Sequence, residues 1–276
     1  MLAQDLYKVL CDYYSVRGID IEDVDITKPF QVKSVLDTIK PHIIINAAAY
    51  TKVDDCEINS ELADNVNGYG PGYIAEWCVQ NKARLIHFST DYIFDGTKNG
   101  DYIETDTPNP VNYYGKSKWL GEQRIVSTMK GYDNYLILRT AWLFGMGGNN
   151  FITTILKLAR EKPILTIVHD QIGCPTYTYD LAEAVQKALT SSLTGTYHVT
   201  NAGHASWADF AEYFLTKTGL KTVVKKVTTS EYPRPAQRPK KSILNCNKFI
   251  NATRHELRSW QLAVDHYLAM LSNQNR

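Results

Sequence analysis

The sequence predicts an α/β fold: a doubly wound parallel sheet followed by a smaller C-terminal lobe. Two observations carry that expectation. Short, β-branched apolar runs such as HIIIN (42–46) and LIHFS (85–89) alternate with longer segments of helical period. Such alternation makes βαβ crossovers, and crossovers make strands parallel. After about residue 200 the texture changes, ending in the Pro- and Arg-rich loop EYPRPAQRPKKS and a last helix.

The elements follow in order. Residues 2–14 are expected to form a helix with Leu2, Leu6 and Leu10 on one face, then a short strand near Val16–Asp20. In DITKPF, Thr27 is a candidate N-cap and Pro29 sits early in a helix running to about Ile39. HIIIN is short, continuous and β-branched, the pattern of a buried strand. Residues 59–67 and 71–81 read as one interrupted helix or two, Leu85–Ser89 as the next buried strand, 113–130 as a helix, and LILRTAWLFG (136–145) as another strand. NNFITTILKLAR is a helix. Strands at 164–169 and 196–200 flank a helix at 179–190. In the late lobe a helix is expected at 206–217, a strand in KTVVKKVTT and a helix around 254–271. The expected division is 1–145 as a dinucleotide-binding domain, with 164–200 returning to the same sheet, and 146–163 with 201–276 as a substrate-binding lobe. No internal repeat or low-complexity tract interrupts this order.

Composition narrows the function. The 276 residues are 44% hydrophobic and 21% charged, enough for a real core and too ordered for a disordered chain or a fibre. A formal net charge of +1, without a basic stripe, argues against a nucleic-acid partner. No apolar run approaches the ~18 residues of a membrane span. The start, MLAQDLYKVLCDYY, carries Asp5 and has no signal-peptide core. Cys11, Cys56, Cys78, Cys174 and Cys246 are scattered and never form CxxC, which argues for reduced thiols and a cytoplasmic address. The seven histidines form no HExxH, so no metal ligand is assigned.

A dinucleotide fold should open with a strand, GxGxxG and a helix. The chain contains no GxGxxG. Gly68, Gly70 and Gly72 have the wrong spacing after a helical stretch. Gly145, Gly147 and Gly148 join a strand to a helix, but Asn150 stands where the last glycine belongs. Turn chemistry accounts for both groups.

The chemistry-bearing residues lie further along. Tyr114 and Lys118 form a YxxxK pair whose i, i+4 spacing puts both on one helix face. A carbonyl reductase needs a proton donor, and a free phenol titrates near ~10. A lysine ammonium ~4 Å away is worth up to ~4 kcal/mol at an effective dielectric of 20, enough to bring the phenol into range. The motif occurs twice; the second, Tyr213 and Lys217, lies in an amphipathic late helix and reads as packing and surface. Context separates the two, because a buried strand upstream of Tyr114 ends in Ser89, Thr90 and Asp91. Ligands of parallel sheets bind at strand carboxyl ends; the competing reading of these three is a turn or N-cap.

Asn46, Ala47, Ala48 and Ala49 end the preceding strand with small residues that let a flat cofactor approach, or simply pack there. Asp20 suits an adenosine ribose 2′-hydroxyl, or is a surface carboxylate. Asp25 is a cofactor contact or a cap. Arg234, Arg238, Lys240 and Lys241 crowd one loop, which suits a pyrophosphate or a solvated surface. Cys174 lacks a histidine at any suggestive spacing and is not read as a nucleophile.

In order along the chain, DIT (25–27), INAAAYTKVD (45–54), VNGYGPGYIA (66–75), STDYIFDG (89–96), NYYGKSKWLGE (112–122), RTAWLFG (139–145), NNF (149–151), DQIGCPT (170–176) and AQRPKKSIL (236–244) resemble the dTDP-4-dehydrorhamnose reductase family. That family belongs to the extended short-chain dehydrogenases/reductases. The resemblance spans nearly the whole chain. It implies a Rossmann-like sheet and NAD(P)H-dependent reduction of the 4-keto group of dTDP-4-dehydro-L-rhamnose to dTDP-L-rhamnose, a polysaccharide precursor. Position by position, it implies Thr90, Tyr114 and Lys118 as the catalytic trio. Tyr114 would donate the proton, Lys118 would bind the nicotinamide ribose, and Thr90 would help hold the carbonyl.

It further implies Asp25, Ile26, Ala47, Ala48, Ala49 and Thr51 as contacts to NADPH or NADH. Asp91, Phe94, Asn112 and Trp142 match positions near the sugar, and Arg238 and Lys241 the diphosphate region. Members include homodimers with magnesium bound by acidic side chains, and Asp5 matches one such position. Met1, Leu2 and Ala3 align with the end of the family's glycine motif. The first strand and leading glycines, roughly ten residues, would then precede this sequence or be absent with weakened cofactor binding. Two other functions compete: a non-catalytic subunit like those of methionine adenosyltransferase, and a nucleotide-sugar epimerase or dehydratase.

Overall fold

A computed structural model describes residues 1–274. The elements are α1 (Leu2–Leu10), α2 (Pro29–Ile39), β1 (Ile43–Asn46), α3 (Val53–Ile58), α4 (Ser60–Ala63), a π-helical turn at Asp64–Tyr69, α5 (Gly70–Asn81) and β2 (Arg84–Thr90). A 3-10 turn at Asp91–Ile93 leads to α6 (Tyr113–Thr128), β3 (Tyr135–Thr140), β4 (Leu143–Phe144), α7 (Phe151–Glu161), β5 (Ile164–Val168), β6 (Ile172–Gly173) and β7 (Thr176–Tyr177). Then come α8 (Thr178–Thr190), β8 (Gly195–His198), β9 (Ala205–Ser206), α9 (Trp207–Thr218), β10 (Val223–Val227), α10 (Asn247–Thr253) and α11 (Trp260–Gln274).

The main sheet is parallel, in the order β1-β2-β3-β8. Side chains of a strand alternate between its faces, and here both faces are apolar. Ile86 and Phe88 of β2 and Leu136 and Leu138 of β3 meet Leu6 and Leu10 of α1 and Leu181 and Val185 of α8. Leu85 and Ile137 point the other way, onto Val32 and Leu36 of α2, Ile74 and Trp77 of α5 and Ile125 of α6. Helices therefore cover both faces, the doubly wound arrangement the alternation predicts. No described helix is long and apolar enough to cross a membrane.

The late lobe has its own core, in which Ile152 and Ile155 of α7, Phe210 and Phe214 of α9 and Trp260, Val264 and Tyr267 of α11 surround Phe144. The expected strand at 164–169 belongs here. β5 pairs in parallel with β10, so of the segment 164–200 only β8 returns to the main sheet. Its pattern gives the reason: Leu165 and Ile167 are buried while Ile164 and Thr166 are exposed, one apolar face where a central strand needs two.

Other expectations are corrected. Val16–Asp20 forms no strand: Arg17, Gly18, Ile19 and Asp20 are exposed, and no described strand gives this backbone a ladder partner. β1 is half-buried rather than fully buried, because β2 is its one described neighbour in the sheet. Lys28, not Thr27, precedes α2 as its cap residue, and the Thr27 hydroxyl instead donates to Asp25 Oδ1 at 2.7 Å. The strand of 136–145 breaks at Trp142, whose φ is +47°. The helix expected at 254–271 starts only at Trp260, since Arg254 (φ +56°) ends α10 in a left-handed conformation. The interrupted helix over 59–81 is continuous through its π-helical turn.

Candidate active site

Ser89 and Thr90 end β2 beside Arg139 and Thr140 of β3, at the carboxyl edge of the sheet. Helix α6 lands on this edge. Asn112 caps it, accepting the Gly115 N–H at 2.8 Å through Oδ1. A Cβ at Gly115 would stand 2.1 Å from Tyr92 O, so only glycine lets the helix seat this close to the turn after β2. Gly121, further along the same helix, does the same against Asn67 O in the π-helical turn. These contacts set Tyr114 over Thr90.

The Thr90 hydroxyl donates to Asp91 Oδ1 at 3.1 Å, accepts the Tyr92 N–H at 3.2 Å, and lies close enough to the Tyr114 phenol to influence its titration. Burial pushes the Tyr114 phenol above its usual range, against the opposing pull of Thr90, so it holds its proton at neutral pH. Lys118 is 2% exposed and burial brings its amine down to about 8. Its Nζ donates to Phe88 O at 2.6 Å and lies 3.4 Å from His87 Nε2. The expected action of Lys118 on the phenol is therefore not what this arrangement displays: the amine is turned toward the β2 backbone, where a carbonyl takes it.

Beneath Lys118, Glu122 continues the same helix stripe and receives a bidentate pair of bonds from Arg139, at 3.0 Å and 2.7 Å. Both residues are buried. Asp91 is also buried; desolvation raises its carboxyl to about 7, opposed by bonds from Ser242 and Thr90. On the other side Asn67, fully buried, donates to Ser117 Oγ and Tyr50 O at 3.0 Å each, joining the π-helical turn to α6.

The late loop closes over this edge. Gln237 O accepts from Asn112 Nδ2 at 2.7 Å, and Ser242 donates to Asp91. Arg238 pairs with Asp54 at 2.5 Å, holding the Asp54 carboxyl below its usual range, while Lys241 reaches toward Asp101 at 4.0 Å. Trp142 stacks on Trp207, ring centroids 3.5 Å apart.

The expected site residues thus divide. Thr90, Asp91, Tyr114 and Lys118 come together, and Asn46 joins them through His87. Asn112 lies at the same place with both ends of its amide engaged. Phe94 is in the core, stacked on Tyr102 at 4.2 Å. Ala47, Ala48 and Ala49 follow β1, and Thr51 is exposed beyond them. Asp20 is exposed, its carboxylate accepting the Ile21 N–H; Asp25 closes a turn with Thr27; Ile26 packs on Gly70. Asp5 is buried in α1, bonded to Thr178 at 2.5 Å, and among the described residues no three His, Cys, Asp or Glu side chains converge as a metal site. Cys174 is buried with its thiol pushed up to about 12, inert as a nucleophile. Tyr213 and Lys217 both meet Asp265 on the late-lobe surface.

Sequence reasoning missed His87, Asn67, Glu122, Arg139, Asp54 and Ser242. Glu122 was legible: it follows Lys118 at i+4 in the same stripe. Asn67, Arg139, Asp54 and Ser242 meet the site from far along the chain, and His87, three residues before Thr90 in β2, has no spacing that marks it.

The chain matches the family model described as the RmlD substrate binding domain over residues 1–273. It is similar to the dTDP-4-dehydrorhamnose reductase of Aggregatibacter actinomycetemcomitans, 40% identical over 97% of this chain and 95% of that protein. It is also similar to the spore coat polysaccharide biosynthesis protein SpsK of Bacillus subtilis, 41% identical over 92% of this chain and 88% of the other. The crystal structure of dTDP-4-dehydrorhamnose reductase from Bacillus anthracis in complex with NADP superposes with a TM-score of 0.94 at 38% identity, covering 98% and 95% of the two chains. By fold, by site and by these matches, the chain belongs to the RmlD substrate binding domain family.

Proposed function

We propose that this chain reduces the 4-keto group of dTDP-4-dehydro-L-rhamnose to give dTDP-L-rhamnose, with Tyr114 as the proton donor. The observation that carries this is the placement of Tyr114 beside Thr90 at the carboxyl end of β2, with Lys118 one helical turn away. Two hydroxyls beside it, Ser89 Oγ and Thr140 Oγ1, are buried with no partner. Unpartnered buried hydroxyls at adjacent strand ends fit a polar ligand, as a nicotinamide dinucleotide is. When bound, that cofactor supplies the hydride.

The chain's own residues do the rest. Tyr114, kept protonated by burial, gives its proton to the oxygen that becomes the 4-hydroxyl. Thr90 holds that oxygen beside the phenol. Lys118 binds the nicotinamide ribose, and Ala47, Ala48, Ala49, Asp20, Asp25, Ile26 and Thr51 line the cofactor's approach. Asp91, Asn112 and Trp142 shape the sugar end, while Phe94 stays in the core; Arg238 and Lys241 meet the diphosphate. The NADP bound to the Bacillus anthracis relative supports NADPH. Residues 1–145 with β8 are assigned to the cofactor, and 146–163 with 201–276 to the sugar nucleotide. No step is assigned to magnesium, since Asp5 is already bonded to Thr178. A cytoplasmic homodimer completes the reading.

The test is consumption of NADPH or NADH by the purified chain upon addition of the keto sugar. Consumption that depends on the keto sugar supports a reductase. Isomerisation without net oxidation indicates an epimerase, and cofactor binding without turnover a non-catalytic subunit.

A further inference from the structure

Lys118 Nζ meets two groups of β2: Phe88 O at 2.6 Å and His87 Nε2 at 3.4 Å. His87 is fully buried. Its other ring nitrogen, Nδ1, lies 3.2 Å from Asn46 Nδ2. The Asn46 amide cannot turn round freely, because its Oδ1 accepts the Ala48 N–H at 3.1 Å. Its NH2 therefore faces the ring. An amide NH2 only donates, so Nδ1 must accept, and the single proton of a neutral imidazole sits on Nε2. That proton points at Lys118.

We propose that His87 is a positioning residue for Lys118: Asn46 locks it in the Nε2–H tautomer, and that N–H donates to the lysine nitrogen and favours its uncharged form. An amine with one N–H on Phe88 O and its lone pair on His87 satisfies every partner in the chain of bonds. An ammonium would set donor against donor. Asn46 ends the chain, since an amide does not relay protons; His87 is a dock and not a shuttle. The inference rests on the reading of Lys118 as part of the active site.

The charges around the amine agree. Burial lowers Lys118, and Glu122 on its own helix, paired with Arg139 from β3, pulls the other way. Burial and the nearby lysine hold His87 well below the usual imidazole range. Tyr114, one turn back, is raised by the charges of Asp91 and Cys56 of α3 as well as by burial. From the elements packed on α6, Glu57 and Asp64 are spent on Tyr113.

The test has two parts on the full chain. Nitrogen NMR of ring-labelled histidine reads the tautomer whether or not the chain turns over keto sugar. A protonated Nε2 and an unprotonated Nδ1 are expected, and Asn46→Asp, which can only accept, should move the proton to Nδ1. An Nδ1–H tautomer or an imidazolium in the unmodified chain would overturn the proposal. Second, in the pH profile of kcat, His87→Phe removes the donor and should move the limb set by Lys118 up by about one pH unit. His87→Gln keeps an N–H and should leave the limb near its original position. A uniform fall in kcat with an unmoved limb would show a merely structural histidine and overturn the proposal. Absence of keto-sugar reduction in the unmodified chain would defeat the functional reading, while the tautomer measurement still decides the role of His87. Should His87→Phe not fold, the Asn46→Asp shift decides it.

Discussion

Ser242 donates a 2.5 Å hydrogen bond to Asp91, joining two segments 151 residues apart in sequence. It ties the late Arg- and Pro-rich loop to the end of β2, so the loop that would hold the diphosphate is joined to the strand that carries Thr90. The carboxyl at this joint is buried and raised to about 7.

That raised value has a consequence for stability. A folded-state value above the unfolded one means the folded chain holds a proton that the unfolded chain has released. The contribution is fully present below about pH 4 and is lost as pH rises to about 7. Asp91→Asn removes the titration. Urea unfolding should show the variant gaining up to about 4 kcal/mol on the parent between about pH 4 and about pH 8. Parallel pH profiles for the two proteins would contradict the burial argument.

Tyr114→Phe keeps the ring contact with Tyr92, at 5.9 Å between centroids, and removes the proton. Turnover should fall by about a hundredfold to ten-thousandfold, with NADPH affinity unchanged within about twofold. A rate near that of the parent would remove Tyr114 from the mechanism.

Glu122→Gln leaves the Arg139 guanidinium buried without its carboxylate. Breaking such a pair costs about 3–5 kcal/mol, read as a lower denaturation midpoint. The same change withdraws the group that supports a charge on Lys118, so the limb of kcat set by Lys118 should move down in pH. That is opposite in sign to the effect expected of His87→Phe. An unmoved limb would mean that Glu122 acts on packing alone.

Asp54 presets Arg238 through a 2.5 Å ion pair on a half-buried guanidinium. Arg238→Ala should weaken dTDP binding by about tenfold to a hundredfold in a calorimetric titration, the range of a charge-assisted contact. Arg238→Lys should recover only part of it, because an ammonium lacks the planar fork. Undiminished affinity in the alanine variant would place the diphosphate elsewhere.

Where one segment contains its own signal, the sequence was readable. The helix from Pro29 to Ile39 announces itself by proline in the first turn, and the stripe of Tyr114 and Lys118 by i, i+4 spacing. β2 and β3 show unbroken apolar runs because both their faces are covered. What depends on partners was not readable. Val16–Asp20 looks like a strand but has no described neighbour, and β5 looks like its main-sheet counterparts until its one-sided burial is seen. In the site, the direction of the Lys118 amine is decided by a carbonyl at Phe88 and a ring at His87, about thirty residues earlier in the chain. Spacing placed the lysine on the right helix face but could not say what it would meet there.

NADPH absorbance in a mixture of this chain and dTDP-4-dehydro-L-rhamnose, run beside Tyr114→Phe, decides between a reductase and a cofactor-binding relative. One NADPH should be consumed per keto sugar by the parent chain, and that consumption should be lost in the variant. A folded parent chain that binds NADPH yet leaves it unoxidised in the presence of the keto sugar would show that it is not this reductase.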